Sequence, residues 1–345
     1  MMQICTRAVG PAILFLAATI GLSAQGQTDS TAGFLCLRAD VPAPISSAVQ
    51  ETLATLSGAH ELSFTESYGD VELRSRVVHS DGQIGMIERI VDSFEYGGMV
   101  ERYYFHKDGL TCGETQLLEN IVPLDGGAAR AEETLVRITS DQGFWAERDG
   151  QPVGEAGAAY AEEAELSAFD MYDRFAPAIA GSIAESRYMP LDCRDVVETY
   201  EAGMGGAYAC GSMAGYDVQL IEDDLRQALR LTRDSQTDTL WIDAWGFTRF
   251  GPMLEWRGEI DTTGAFRPDT IIVRVFIDQG TGSEEQRLAI GRLNGAHACF
   301  DGWVDVAGNP DHNEDARLLA DATPLYLVAC DNAGTVDGGT AQKSG

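Results

Sequence analysis

Residues 70–119 read DVELRSRVVHSDGQIGMIERIVDSFEYGGMVERYYFHKDGLTCGETQLLE, and this stretch decides the fold. It holds strand-length runs in which apolar and polar residues largely alternate, separated by Asp81-Gly82, Gly97-Gly98 and Asp108-Gly109. Successive side chains of a strand point to opposite faces, so a two-residue period marks a half-buried strand. Asp-Gly between such runs tolerates the positive φ that a two-residue hairpin turn requires. The reading is an antiparallel β-meander. HELSFTES (60–67) extends it upstream; ETLVRITS (133–140) and GFWAERD (143–149) extend it downstream. Before it, Pro44 leads into Ile45, Val49, Leu53 and Leu56, an apolar stripe on one helical face that Gly58 closes. Residues 33–153 are therefore expected to form one domain, a meander curled on a helix.

From Glu155 to about Arg187 the period becomes helical, with Leu166, Phe169, Tyr172, Phe175, Ile179 and Ile183 three or four apart. Pro177 is expected to kink or split this helix. Residues 155–188 read as a helical connector, and 190–331 as a second, mixed α+β domain made mostly of strands. Its strand candidates are 193–201, 206–212, 216–222, 240–247, 253–258, 270–277, 286–293, 296–306 and 325–330. The stretch 223–232 fits helix and strand alike. A short helix with Asn313 as N-cap would bury Leu318, Leu319 and Ala322. The tail, 332–345, reads as disordered. The fold class is α+β.

The first residues read as an export signal. Met1–Arg7 carry one cation and no acid, Ala8–Leu22 are uncharged and apolar, and small residues follow at Ser23 and Ala24. This is the layout of a cleavable signal peptide, 1–24, with cleavage near Ala24 and a periplasmic or secreted product. The apolar run falls short of the roughly 20 residues of a membrane span, and no cysteine follows the cut to take a lipid anchor. Cysteine usage agrees: Cys36, Cys112, Cys193, Cys210, Cys299 and Cys330 remain, an even set suited to an oxidising compartment. Sequence alone leaves their connectivity open; pairing between neighbours would give Cys36–Cys112, Cys193–Cys210 and Cys299–Cys330.

The chain carries 54 acids against 24 cations, a formal net charge of −30, and its lysines are Lys107 and Lys343 alone. Such a surface repels nucleic acid and anionic membrane, and no basic stripe offsets it.

The search for chemistry finds no GxSxG elbow, HExxH helix, Walker loop or dinucleotide fingerprint, and no catalytic residue is assigned. His79-Ser80-Asp81-Gly82 and His106-Lys107-Asp108-Gly109 repeat the form H-x-D-G two strands apart. In a meander, His79 and His106 would then lie at one rim, roughly 10 Å apart, where a metal or an anion could bind; the plain alternative is polar hairpin ends. Asn309, Asp311, Asn313 and Asp315 place oxygens at alternate positions, as in the first half of a calcium loop. Glu314 and Ala320 depart from that pattern, so calcium is the one cofactor raised, against a capped turn and helix. Trp241, Trp245, Phe247, Phe250 and Trp256 crowd together with Arg249 and Arg257. The cluster reads either as a sugar- or peptide-binding face or as core.

GGAYACGSMAGYDVQLIEDDLR, EWRGEI and RLNGAHACFDGWVDVAGNPDHNEDARLLADA in the second half resemble segments of exported bacterial proteins of unassigned function. The resemblance implies export and a unit of structure, and brings no activity. The expected function is that of a soluble, non-catalytic envelope protein that binds a partner protein, a glycan or a lipid. The alternatives are an envelope hydrolase using carboxylates and a calcium-dependent structural module.

Overall fold

The computed structural model describes residues 35–56, 58–68, 71–92, 97–106, 109–121, 130–139, 144–153, 155–200, 205–242, 244, 246–280, 282–295 and 297–322. The leader 1–24, Trp245, Cys330, the strand read at 325–330 and the tail 332–345 lie outside the described residues.

Tight turns set the path of the chain. Asp81 and Gly82 have φ of 53° and 76°, and Asp149 and Gly150 47° and 74°. Two consecutive residues at positive φ give the turn whose twist matches that of paired antiparallel strands. The same geometry recurs at Asp224 and Leu225 (45° and 64°), which resolves the ambiguous stretch 223–232 as a hairpin rather than a helix. Leu225 has no special tolerance for that conformation; pairing on both sides of the turn overrides its preference.

The strands form two antiparallel sheets. In the first, β1 (His60–Tyr68), β2 (Val71–Ser80), β3 (Gln83–Asp92), β4 (Gly97–His106), β5 (Gly109–Ile121), β6 (Arg130–Thr139), β7 (Phe144–Arg148) and β8 (Gln151–Pro152) follow one another as a meander. Next come α2 (Glu155–Gly181), after α1 (Ala43–Thr55) at the start, and then β9 (Glu185–Pro190). The second sheet is β10 (Asp195–Thr199), β11 (Gly205–Met213), β12 (Tyr216–Asp223), β13 (Arg226–Arg233) and β14 (Gln236–Trp241). The chain then returns to the first sheet with β15 (Phe247–Ile260), β16 (Phe266–Asp278), β17 (Glu284–Asn294) and β18 (His297–Asp305), and ends its described part in α3 (His312–Asp321).

The large sheet has 13 strands in the order β8-β7-β6-β5-β4-β3-β2-β1-β18-β17-β16-β15-β9. Its seam is β1 against β18, with Thr65 opposite Trp303 and Glu66 opposite Gly302. The two segments expected as separate domains thus contribute strands to one sheet. The core crosses the seam as well: Leu62, Phe64 and Ile87 share a cluster with Phe175 of α2, Ile290 of β17 and Leu319 of α3. One face of the sheet is covered by α2 and α3, which we call the helix face. The other is covered by α1 on the meander side, through Ile45, Val49, Val78 and Tyr104. On the far side the five-stranded sheet covers it, through Val218, Leu229 and Leu231 against Leu254, Trp256 and Val273. Each such side chain contributes roughly 1.5–3 kcal/mol on burial.

Three local expectations change. α2 continues through Pro177 and ends at Gly181. Pro177 and Asp173 are both exposed, so the carbonyl deprived of its N–H partner faces water. The apolar Ile183, read as helical, is 79% exposed beyond that end, and Arg187 belongs to β9, pairing with Trp256. The N-cap of α3 is Asp311 rather than Asn313, which lies in the first turn.

Cys36 is joined to Cys112, tying the segment before α1 to β5, and Cys193 is joined to Cys210. Cys299 is also disulfide-bonded. Among the described residues, no helix is long and apolar enough to cross a membrane.

Candidate functional site

In an antiparallel sheet, directly opposed residues lie on the same face. On the helix face this aligns Phe64, Ser75, Arg89, Glu101, Thr115 and Val136, one from each of β1 to β6. The next row runs through Met99, Leu117 and Thr134. A polar centre therefore sits in an otherwise apolar floor. Above it, Tyr160, Ala164, Ser167, Met171 and Arg174 recur three or four apart and share one side of α2. Between floor and helix lies a cleft of about 750 Å³, to which all these α2 residues contribute.

The charges of the floor are matched by the protein itself. Arg89 Nε donates to Glu101 Oε2 at 2.6 Å, and its Nη2 donates to Ser167 Oγ at 2.7 Å. Tyr103 Oη donates to the other Glu101 oxygen at 2.6 Å. Burial, followed by the Glu101 charge, pushes the Tyr103 phenol well above its ordinary range, so it stays a donor. At one end Arg174 grips Glu66 with both guanidinium nitrogens, one bond being 2.8 Å, and lies over Phe64 and Phe175. At the other, Arg148 donates to Thr134 Oγ1 at 3.0 Å and to Tyr160 Oη at 2.7 Å.

Two hydroxyls of the floor row are not matched, and one of them lines the cleft. Thr115 is 8% exposed, lines the cleft, and its Oγ1 is buried without a hydrogen-bond partner. Ser75 Oγ, on the far side of the Arg89–Glu101 pair in the same row, shares that condition. A buried hydroxyl left unpaired costs on the order of 1–3 kcal/mol, which makes such atoms informative about what else the site accommodates. The rim is acidic: Glu163, Asp170 and Asp173 of α2 line the cleft and are exposed.

Candidates singled out from the sequence are placed as follows. Trp256 is wholly buried beside Tyr216, at 5.5 Å between ring centroids. Arg257 points to the other face of β15, where Nε donates to Asp321 at 2.7 Å and Nη1 to Ser186 at 2.6 Å. Phe250 packs on Phe300, and Trp241, at the end of β14, is exposed. These residues do not assemble into one face. His79 meets His60, at 5.0 Å between ring centroids, while His106 ends β4 two strands away.

The four residues with calcium-loop spacing lie at the start of α3. Asn309 Oδ1 accepts from the Asp311 amide at 3.0 Å, and Asn309 Nδ2 donates to Asp315 Oδ2 at 2.9 Å; Asp311 and Asn313 are exposed. Among the described residues, no group of three or more His, Cys, Asp or Glu side chains is arranged to hold a metal ion. Asp315 Oδ1 instead lies in hydrogen-bond contact with His60 Nε2 at 2.9 Å. Burial holds its carboxyl above the ordinary range, against the bonds from Asn309 and His60. Burial and repulsion from His60 hold the His79 imidazole below its ordinary value, with Glu314 opposing.

Sequence reasoning did not find Arg89, Glu101, Thr115 or Ser167. A signal was available: Glu88-Arg89, Glu101-Arg102 and Glu114-Thr115 put polar residues at both parities of three successive strands, so neither face there is wholly apolar.

No protein-family model matches the chain, and no curated protein matches it. Among solved structures, the crystal structure of the di-domain ARO/CYC StfQ from the steffimycin biosynthetic pathway aligns over 80% of this chain and 87% of that one. The identity is 10% and the TM-score 0.13, a likeness that carries no argument about fold or function.

Proposed function

We propose that the chain is an exported, soluble, non-catalytic binding protein of the cell envelope that holds a small amphipathic molecule in the cleft beneath α2. The observation that carries this reading is the cleft's make-up. Apolar walls from Met99, Leu117, Val136 and Met171 enclose a polar centre whose charges are already paired, with one buried hydroxyl still to satisfy. Pockets that hold small molecules combine a mostly apolar lining with few placed polar groups in this way. Both Glu101 oxygens accept bonds from within the protein, one from Arg89 and the other from Tyr103. Export is supported by the leader-like residues 1–24 and by the disulfides, which persist in oxidising compartments.

The test is titration of the purified protein with the neutral amphipathic dye N-phenyl-1-naphthylamine. We expect saturable, blue-shifted fluorescence. Leu166→Arg, at an exposed position on the cleft wall, is expected to weaken it by about tenfold or more, equivalent to about 1.4 kcal/mol. Absence of saturable binding, or binding indifferent to that substitution in a folded protein, would remove the proposal.

A further inference from the structure

Resting on that reading, we infer that the bound molecule is a cationic amphiphile: its ammonium-type head meets the acidic rim of the cleft, and its apolar body lies on the floor. Three observations lead there. The cations bordering the cleft are already engaged, Arg89 by Glu101 and Ser167, Arg174 by Glu66, and Arg148 by Thr134 and Tyr160. They have little to offer an incoming carboxylate or phosphate without leaving a buried acid uncompensated. By contrast, Glu163, Asp170 and Asp173 all face the cleft from one side of α2, and among the described residues no cation lies within ion-pair distance of any of them. They are spaced over three turns of the helix, so their charge extends along the mouth rather than sitting at one point.

The second, independent element is Thr115. The residue lines the same cleft from the floor, directly across from Glu101, and its Oγ1 is buried without a partner. A ligand with an apolar chain and a hydroxyl or amide below its charged head would satisfy that atom once rotation of the Thr115 side chain turns it to the cleft, while the head stays at the rim. The acid rim also lies where solvent still reaches, so a charged head keeps part of its hydration and only the apolar body is desolvated.

The experiment is displacement of N-phenyl-1-naphthylamine by three chains of equal length that differ in the head: decyltrimethylammonium, 1-decanol and decanoate. The cation is expected to bind about tenfold more tightly than the anion near 20 mM salt, and to lose most of that advantage near 500 mM as screening sets in. Asp170→Asn with Asp173→Asn is expected to bring cation and anion close to parity while leaving decanol unchanged. A control pair, Asp195→Asn with Glu198→Gln on the exposed strand β10, removes the same charge far along the sequence and should leave the preference intact. Equal affinity for the three heads, or preference for the anion, overturns the inference while leaving the binding proposal standing. So does a preference that the control pair reduces as much as the rim pair, since the whole molecule's charge would then be its source. Failure of all three to displace the dye, or of the dye to bind, strikes the proposed function itself.

Discussion

Thr115 stores an unmet hydrogen bond, and that gives it opposite effects with and without ligand. Valine keeps the shape and removes the hydroxyl, so Thr115→Val should raise the unfolding free energy of the empty protein by about 1 kcal/mol, read from urea midpoints. The same substitution should weaken a ligand that bonds there. A fall in stability would mean the hydroxyl is already satisfied, and the site would lose its polar centre. His79 gives the residue-scale pH dependence. Its folded pKa lies below the unfolded value near 6.5, so the unfolded chain takes up the proton first. Its contribution is complete above about 6.5 and is lost as the pH falls from there toward the folded value. The groups facing it are His60 and Glu314, with Asp315 bonded to His60. Asp315 has the opposite sign: with a raised folded pKa, its contribution is lost as pH rises through that value. Between about pH 7.5 and 5.5 the wild type should therefore lose more stability than His79→Gln, and equal losses would refute the assignment. The sequence marked His79 for a hairpin rim and Asn309 and Asp315 for a metal loop. It could not join them, because the link is His60, a lone histidine at the start of a strand whose partner Asp315 is 255 residues away.

At the scale of the element, α3 illustrates how a short helix is held by its surroundings. It has no side-chain bond at its N-cap and no basic residue in its last turn. Its terminal carbonyls are instead met from the sheet: Arg292 Nη2 donates to Leu319 O at 2.8 Å and Nη1 to Ala320 O at 2.5 Å. A cation at this end also opposes the negative pole of the helix. Arg292 is in turn held by Asp301 at 2.8 Å, both buried. Arg292→Met should cost about 3–5 kcal/mol, because it strands the Asp301 charge together with the helix carbonyls. Adding Asp301→Leu should return part of that loss, and an additive further loss would show that the pair is not the source. The apolar positions of this helix were legible in the sequence, as were those of α1 and the strands of the meander. Its true cap and its anchoring were not. Position 313 resembles a cap in isolation, whereas Asp311 is selected by the turn that brings Asn309 to Asp315. The fate of 223–232 was undecidable for a related reason: LRQALRL suits either period, and only pairing of β13 with strands on both sides decides it.

At the scale of the molecule, the sequence reads as two domains whereas strands of both segments share one sheet, and the cause is topological. A helix of 27 residues between two strand-rich segments reads as a connector. Here it folds back over the helix face of the sheet, while the last strand of the second segment closes against the first strand of the first. Pairing at that seam is short, but two other contacts span it. His60 binds Asp315, and Phe64, Ile290 and Leu319 share one apolar cluster. Neither can survive if only one half is folded, and each apolar side chain of the cluster then exposed costs roughly 1.5–3 kcal/mol. The halves should accordingly unfold as one cooperative unit. Trp145 of β7 and the buried Trp256 of β15 report on opposite ends of the large sheet. In variants retaining a single tryptophan at either position, the others replaced by phenylalanine, the two probes should give the same urea midpoint and the same slope. Separate midpoints would return the molecule to two independent domains, and would leave the cleft, whose walls all come from β3 to β6 and α2, as the property of the first alone.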